Sequence, residues 1–202
     1  MPRPDVSEER HLQIVEAAVK VFLRKGYRKT TMPEIAREAG LSIGGVYWYF
    51  KSKDEVVLAI LEDVFRSDLD DLNSLLSTET SASERLKSFV ATYVESYDEM
   101  TWLNTIGIEF YGQAGHDPLV RGFIQAYISH YRQALVRLIE QGIERGEFRT
   151  VNPVDTANAI IGLEEGLSMI ASADPEGVNW KNAFRTSTEL LLIGLSAKDN
   201  PK

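Results

Sequence analysis

Residues 31–53, TMPEIAREAGLSIGGVYWYFKSK, constrain the fold of this chain more than any other segment. Thr31 and Glu34 have the spacing of a capping box, so we expect a helix to begin directly after Thr31. Gly40 can end that helix, because glycine readily adopts the left-handed backbone found at helix ends. Ser42 can then cap a second short helix. Two helices joined by so tight a turn are typical of a helix-turn-helix motif.

The end of this segment places aromatic side chains beside lysines. The second helix would bury Val46 and Phe50, which are four residues apart, and would leave most of the aromatic run 47–49 on other faces. A soluble domain rarely exposes consecutive aromatic side chains beside basic ones unless they contact a partner. Nucleic acid is the partner that this combination favours.

Charge is distributed unevenly along the chain. Residues 1–53 contain ten Lys or Arg and six Asp or Glu, a net charge of +4. The remaining residues contain twelve Lys or Arg and twenty-four Asp or Glu, a net charge of −12, and the sum is the overall −8. A basic head on an acidic body is the balance expected of a DNA-reading module joined to a domain that does not bind DNA.

Composition excludes several other classes of protein. The chain has no cysteine, and its three histidines lack metal-ligand spacing, so we predict no disulfide, metal site, cofactor or catalytic residue. The charged N-terminus does not resemble a secretory signal. No apolar run approaches the ~20 residues that a membrane span requires. We therefore expect a cytoplasmic protein that is not an enzyme and has no membrane partner.

Helical periodicity dominates the rest of the sequence, and no segment alternates with a period of two over a useful length. We predict an all-α fold of about nine helices, placed at 7–25, from 32, from 43, 53–76, from 81, 103–114, 117–145, 152–173 and 179–195. We further predict two domains, a three-helix DNA-binding domain over 1–52 and a larger helical ligand-binding and dimerisation domain over 53–202.

The segment from about Ser7 to Leu61 resembles the DNA-binding domain of the TetR family of bacterial transcriptional regulators. The matching stretches are AAVKVFLRKGYRKTT, TMPEIAREAGLSIGGVYWYF and FKSKDEVVLAIL. The resemblance implies a repressor that binds a palindromic operator on double-stranded DNA as a homodimer and is released by a small-molecule inducer. A regulator that acts through a protein partner, without a small ligand, is the alternative.

A recognition helix presents side chains to base edges in the major groove. The second helix of the motif has no Arg, Asn or Gln for bidentate base readout. Specificity would therefore come from Ser42, Ile43, Tyr47 and Trp48, from Arg37 or Met32 on the preceding helix, and from DNA shape. By resemblance, tyrosines and a lysine hold the DNA backbone, although Tyr49 could instead be a core residue and Trp48 could be buried. The predicted DNA-binding residues are Arg28, Lys29, Thr31, Met32, Arg37, Ser42, Ile43, Gly44, Gly45, Tyr47, Trp48, Tyr49 and Lys53.

The middle of the chain is rich in aromatic side chains with polar groups among them. Each could be ordinary core, but so many tyrosine hydroxyls that need partners favour an apolar cavity with a few polar groups. By resemblance, such a cavity binds a small-molecule effector, and we expect an apolar or aromatic one. The predicted pocket residues are Phe89, Tyr93, Tyr97, Trp102, Thr105, Glu109, Phe110, Phe123, Tyr127 and His130.

The two last helices are the expected dimer surface. One helix-turn-helix module reads a half-site, so useful affinity requires two modules about 34–36 Å apart and a palindromic operator. The resemblance assigns the last two helices to a four-helix bundle between subunits. The predicted interface residues are Ile160, Ile161, Glu164, Leu167, Phe184, Leu191 and Leu195.

Overall fold

The computed structural model describes the backbone of residues 6–197 and the side chains of residues 7–66, 69–70, 73–74, 76–95, 106–108 and 110–197. Within these residues the chain is all-α, as predicted, and its only extended pairing is an isolated bridge between Phe148 and Ser196. The helices are α1 (Val6–Lys25), α2 (Met32–Glu38), α3 (Ile43–Tyr49), α4 (Lys53–Leu76), α5 (Ala82–Gln113), α6 (Pro118–Glu144), α7 (Pro153–Ala173) and α8 (Trp180–Leu195).

The helix α5 corrects one detail of the prediction. We expected one helix from Ser81 and a separate one over 103–114, but α5 continues for 32 residues. Its sequence contains no proline, and helix interiors tolerate single glycines at a cost of only about 1 kcal/mol each, so nothing local ends the helix between its cap and Gln113. The described part of the chain therefore has eight helices.

The predicted caps occur where the sequence placed them. The Glu34 carboxylate accepts a hydrogen bond from the Thr31 backbone N–H at 2.9 Å, and the Glu84 carboxylate accepts one from the Ser81 N–H at 3.2 Å. Gly40 has a φ of 66° after α2. Residues that cap a helix act on backbone groups within a single turn, which explains why these boundaries can be read from sequence alone.

The chain divides into two compact units, 1–66 and 67–202, and the division lies inside α4. In the first unit, α1 packs on α2 and α2 on α3. Buried apolar side chains from all four helices fill its core: Ile14, Ala18, Val21, Phe22, Ile35, Ala36, Val46, Phe50, Val56, Val57 and Ile60. The division of function at residue 52 stays a prediction, because compactness does not test it.

The second unit, the helical unit, has a core drawn from α5, α6, α7 and α8. Arg85 is buried at its edge, where its Nη1 donates to the Gln141 side chain at 2.6 Å and to the Leu76 carbonyl at 3.3 Å. These contacts join the end of α4 to α5 and α6. Among the described residues, no helix is long and apolar enough to cross a membrane.

Candidate nucleic-acid interface and interior pocket

The short helix α3 presents an apolar and aromatic face to solvent. Its opposite side is anchored by Val46 and Phe50, which are 0% and 4% exposed, and the Phe50 ring lies 4.7 Å from the His11 ring of α1. Ser42 caps the helix by accepting a hydrogen bond from the Gly45 N–H at 3.0 Å. The anchored side orients α3 within the first unit and leaves its other side free for a partner.

Three large side chains of α3 are exposed to solvent. Ile43 is 46% exposed, Tyr47 is 41% exposed and Trp48 is 68% exposed. The Trp48 ring meets the half-buried Tyr49 ring edge-on, with centroids 4.7 Å apart. Of the two alternatives that the sequence left open for Trp48, the structure therefore shows the exposed one. Ser42 and Gly44 are also exposed, and Gly45 is half-buried.

Among the other predicted DNA-contacting residues, Met32 needs a correction. Its side chain is only 6% exposed and belongs to the buried core of the first unit, so little of it can reach DNA. Thr31 and Arg37 are exposed, as are Arg28 and Lys29. Of these, Thr31 also donates a hydrogen bond from its hydroxyl to the Glu34 carboxylate at 2.8 Å.

Lys53 is engaged within its own unit. Its ammonium group donates to the carbonyls of Tyr27 and Thr30 at 2.8 and 3.1 Å and lies 4.0 Å from the centre of the Tyr27 ring. The Tyr27 hydroxyl also donates to the Asp54 carboxylate. These contacts fasten the loop before α2 to the start of α4, so in this structure Lys53 holds the scaffold of the interface together.

Two polar arrangements of the first unit were not predicted from the sequence. Lys51 donates from Nζ to the carbonyls of Tyr47 and Trp48, at 2.7 and 3.2 Å, and its charge suits the negative end of a helix. Lys25 forms an ion pair with Glu34; this contact and the Thr31 hydrogen bond lower the pKa of the Glu34 carboxyl to about 2. The Lys51 contacts could have been predicted from the sequence, because Lys51 lies just past the end of α3. The Lys25–Glu34 ion pair could not, because it depends on the packing of α1 on α2.

The helical unit encloses a small, mainly apolar cavity. Its volume of about 10 Å³ is close to the minimum that one water molecule requires. The cavity is lined by Leu86, Phe89, Val90, Tyr131, Ile160, Leu163, Glu164, Phe184, Thr188 and Leu191. It therefore lies between α5, α6, α7 and α8.

Phe89 is the member of the predicted pocket set that lines this cavity. Tyr93 and Tyr127 lie one ring further out, with centroids 6.3 Å from Phe89 and 6.0 Å from Tyr131. Phe110 is buried elsewhere and Phe123 is half-buried. Residues Tyr97, Trp102, Thr105 and Glu109 were also predicted here, but their side chains lie outside the described residues.

His130 is the pocket prediction that the structure contradicts. Its side chain is exposed, whereas the next residue, Tyr131, is 4% exposed. Neighbouring positions on a helix differ by about 100° in direction, so α6 can turn only one of the two inward. The aromatic periodicity of α6 favours Tyr131.

Two tyrosines donate hydrogen bonds to two neighbouring carboxylates of α7. The Tyr131 hydroxyl donates to Glu164 at 2.9 Å, and the Tyr111 hydroxyl donates to Glu165 at 2.8 Å. Burial, reinforced by the nearby carboxylates, raises the pKa of both tyrosines. Burial also raises the pKa of Glu165, although the Tyr111 hydrogen bond opposes this. Of these groups, Tyr131 and Glu164 line the cavity.

Most of the predicted dimer residues on α7 and α8 are buried within the subunit, so their place in an interface stays a prediction. Five of them are at most 7% exposed: Ile160, Ile161, Glu164, Phe184 and Leu195. Leu167 and Leu191 are half-buried and pack against the same core. The large apolar side chains that these helices expose by more than half are Met169, Ile170, Leu190 and Ile193, which are 55%, 54%, 65% and 73% exposed.

A helix-turn-helix unit with an exposed aromatic face, followed by a larger helical unit, is the arrangement expected of a DNA-binding transcriptional regulator. The family models agree with this assignment. Residues 14–60 match the bacterial regulatory proteins of the tetR family, and residues 82–191 match the C-terminal domain of BetI-type transcriptional repressors. The chain belongs to the TetR family of transcriptional regulators, and it is therefore a DNA-binding regulator and not an enzyme.

Individual proteins support this membership. The HTH-type transcriptional regulator YfiR of Bacillus subtilis (strain 168) is 30% identical over 162 residues, which cover 79% of this chain and 78% of the relative. A transcriptional regulator of Saccharomonospora viridis, solved in complex with choline, has a TM-score of 0.79 at 21% identity, covering 92% of this chain and 96% of that one. FadR of Bacillus subtilis, solved with stearoyl-CoA, has a TM-score of 0.75 at 19% identity, covering 91% and 98%. The two structures show that the fold is shared.

Proposed function

We propose that this regulator is a repressor that binds a palindromic operator as a homodimer through α3 of each subunit, and that a small molecule inside the helical unit releases it. In this proposal, residues 1–52 form the DNA-binding domain and residues 53–202 bind the effector and form the dimer. The observation that carries the proposal is the exposed face of α3, on which Ile43, Tyr47 and Trp48 stand out while Val46 and Phe50 fix the helix from behind.

Contacts with DNA divide into two sets. Exposed cationic and hydroxyl groups next to the motif, on Arg28, Lys29, Thr31 and Arg37, are suited to phosphates, and such contacts set register without reading sequence. The side chains of α3 enter the major groove and read the bases. We assign base reading to Ser42, Ile43, Gly44, Gly45, Tyr47 and Trp48, with Tyr49 and Lys53 supporting them from behind.

A homodimer supplies the second half-site contact. The exposed apolar side chains of α7 and α8, each more than half exposed in the single chain, are the surface that we assign to the partner subunit. Exposed apolar side chains on two successive helices are typical of an interaction surface. A two-fold axis through this surface requires a palindromic operator.

The cavity of the helical unit is the proposed effector site. At about 10 Å³ it accommodates no organic molecule in this conformation, so an effector must bind a wider state of the same core. Such a molecule stabilises the wider state at the expense of the DNA-binding state, which is how a ligand shifts a population. To reverse a 99:1 preference for the DNA-binding state, the effector must bind the wider state more tightly than the DNA-binding state by about 5.5 kcal/mol per functional unit.

The lining favours an apolar or aromatic effector. Aromatic rings surround the cavity, and Tyr131 and Glu164 provide a polar pair that can orient a ligand. The structural neighbours were solved with choline and with stearoyl-CoA, which differ greatly in charge and size. They support control by a small molecule without selecting its identity.

The test begins with selection of duplex oligonucleotides by the purified protein, Tyr47→Ala and Leu23→Ala. Leu23 is also exposed, at 57%, but stands on α1, so its variant controls for loss of exposed apolar surface. We expect wild type and Leu23→Ala to enrich one palindrome that Tyr47→Ala binds weakly. Equal binding by all three proteins, or no enrichment, would reject the proposed DNA interface.

The effector is then sought by screening compounds that raise the melting temperature of the protein and release the selected operator. A compound that does both supports control by a ligand in the helical unit. If the operator is bound but no compound releases it, a protein partner becomes the better explanation of regulation.

A further inference from the structure

The exposed face of α3 is unusual in what it offers to a base pair. Ile43 and Tyr47 are four residues apart, so their side chains lie on one side of the helix, and both are more than two-fifths exposed. Gly44, the residue after Ile43, is also exposed, and a Cβ added there would meet nothing within 4 Å. No side chain at position 44 therefore stands next to the isoleucine.

Hydrogen-bonding groups on this face are few. The seven residues of α3, IGGVYWY, include no charged or amide side chain, so the bidentate contacts with guanine or adenine that Arg, Asn and Gln form are absent from it. Lys51, two residues beyond α3, directs its ammonium group at the carbonyls of Tyr47 and Trp48. The Ser42 hydroxyl oxygen already accepts a hydrogen bond from the Gly45 N–H.

One base edge in the major groove is recognised by apolar contact. Thymine exposes a C5-methyl group there, and cytosine, guanine and adenine do not. An exposed branched aliphatic side chain on a reading helix matches that methyl group, since both lose contact with water when they meet.

We infer that Ile43 is a specificity-determining residue that reads the C5-methyl group of a thymine, so that each operator half-site has an A·T pair where Ile43 enters the groove. The inference rests on α3 acting as the recognition helix, which is the proposed function. It adds the chemistry of the recognition, an apolar contact with a methyl group in place of a hydrogen bond to a base edge.

The experiment removes the methyl group from the DNA rather than from the protein. Each thymine of the selected half-site is replaced in turn by deoxyuridine, which keeps base pairing and lacks only that methyl group. Affinities are measured at one salt concentration for wild type, Ile43→Val and Ile43→Ser. For wild type, we expect one position at which uracil weakens binding about three- to tenfold, the scale of burying one apolar carbon.

The variants identify the residue that reads this position. Ile43→Ser should bind the thymine operator about as weakly as wild type binds the uracil operator. Replacing thymine with uracil should not weaken binding by Ile43→Ser any further, because both changes remove the same contact and their effects are not additive. Ile43→Val keeps a branched apolar side chain and should retain the preference for thymine. Because Ile43 is nearly half exposed, all three proteins should have the same melting temperature.

Other outcomes overturn the inference in distinguishable ways. If wild type binds its operator and tolerates uracil at every position, no methyl group is read. If Ile43→Ser still discriminates thymine from uracil, another residue reads the methyl group. If no operator is selected at all, the proposed function fails, and the role of Ile43 fails with it.

Discussion

Tyr131 and Glu164 show how a single contact shapes the interior of this regulator. Both side chains are at most 7% exposed, and the tyrosine hydroxyl donates to the carboxylate at 2.9 Å. A buried carboxylate lowers stability unless polar groups hydrogen-bond to it. The contact therefore stabilises α7 against α6 at the edge of the cavity, where an effector would compete for the same polar groups.

Replacing Tyr131 with phenylalanine should destabilise the protein, because it removes a hydroxyl that a buried carboxylate accepts. We expect the free energy of unfolding to fall by about 1–3 kcal/mol, measured by urea denaturation at one protein concentration. The matched control is Tyr47→Phe, which removes an exposed hydroxyl and should change stability by less than about 0.5 kcal/mol. Equal stabilities of the two variants would contradict the role assigned to the Tyr131 hydroxyl.

At the scale of the element, the end of α6 and the loop after it depend on two glycines. Gly146 has a φ of 70° and ends the helix. The Phe148 ring then packs over Gly142, so closely that a Cβ added to Gly142 would lie 2.3 Å from the ring. The next residue, Arg149, donates its backbone N–H to the Leu195 carbonyl at 2.8 Å. The absence of a side chain at Gly142 thus allows the loop after α6 to pack against the end of α8.

Two alanine variants of α6 should therefore have opposite effects. Gly142→Ala should lower the free energy of unfolding by about 1–3 kcal/mol, because the ring and the loop behind it must shift. Gly122→Ala, at an exposed position where an added Cβ meets nothing within 4 Å, should raise stability by about 0.5–1 kcal/mol through helix propensity. Thermal and urea denaturation measure both, and a stabilised Gly142→Ala would show that the close packing of Phe148 is not required.

At the scale of the whole molecule, the chain is a TetR-family regulator whose single subunit leaves apolar surface on its last two helices. Ile193 on α8 is 73% exposed, the most of any large apolar side chain among the described residues. Burial of such side chains between two copies is the main source of free energy for a homodimer. In the proposed homodimer, two linked half-site contacts would raise the affinity for a palindrome far above that of one contact.

Replacing Ile193 with aspartate should disrupt the dimer, because association would bury an unpaired charge. We expect sedimentation velocity to show a shift from dimer to monomer, together with a loss of operator affinity of at least about tenfold. Leu119→Asp is the control, since Leu119 is 60% exposed but belongs to α6. A dimeric Ile193→Asp would place the subunit interface on another surface.

The sequence by itself determined the local features of this protein. Capping boxes, left-handed glycines and the short turn before Ser42 predicted the helix-turn-helix, because each acts on backbone groups within about one helical turn. The exposed aromatic face followed from the spacing of Val46 and Phe50. By contrast, the predicted break near residue 103 does not occur, because no proline or cap is present to end α5.

Only the tertiary structure decided which faces point inward. The helix α7 is apolar on several sides, so periodicity alone cannot predict which side is buried. In the structure, Ile160 and Glu164 pack inside the subunit, whereas Met169 and Ile170 are exposed. The burial of Met32 depends in the same way on neighbouring helices. Helical spacing states which residues share a face, but the packing of other helices determines whether that face meets the core, a partner or solvent.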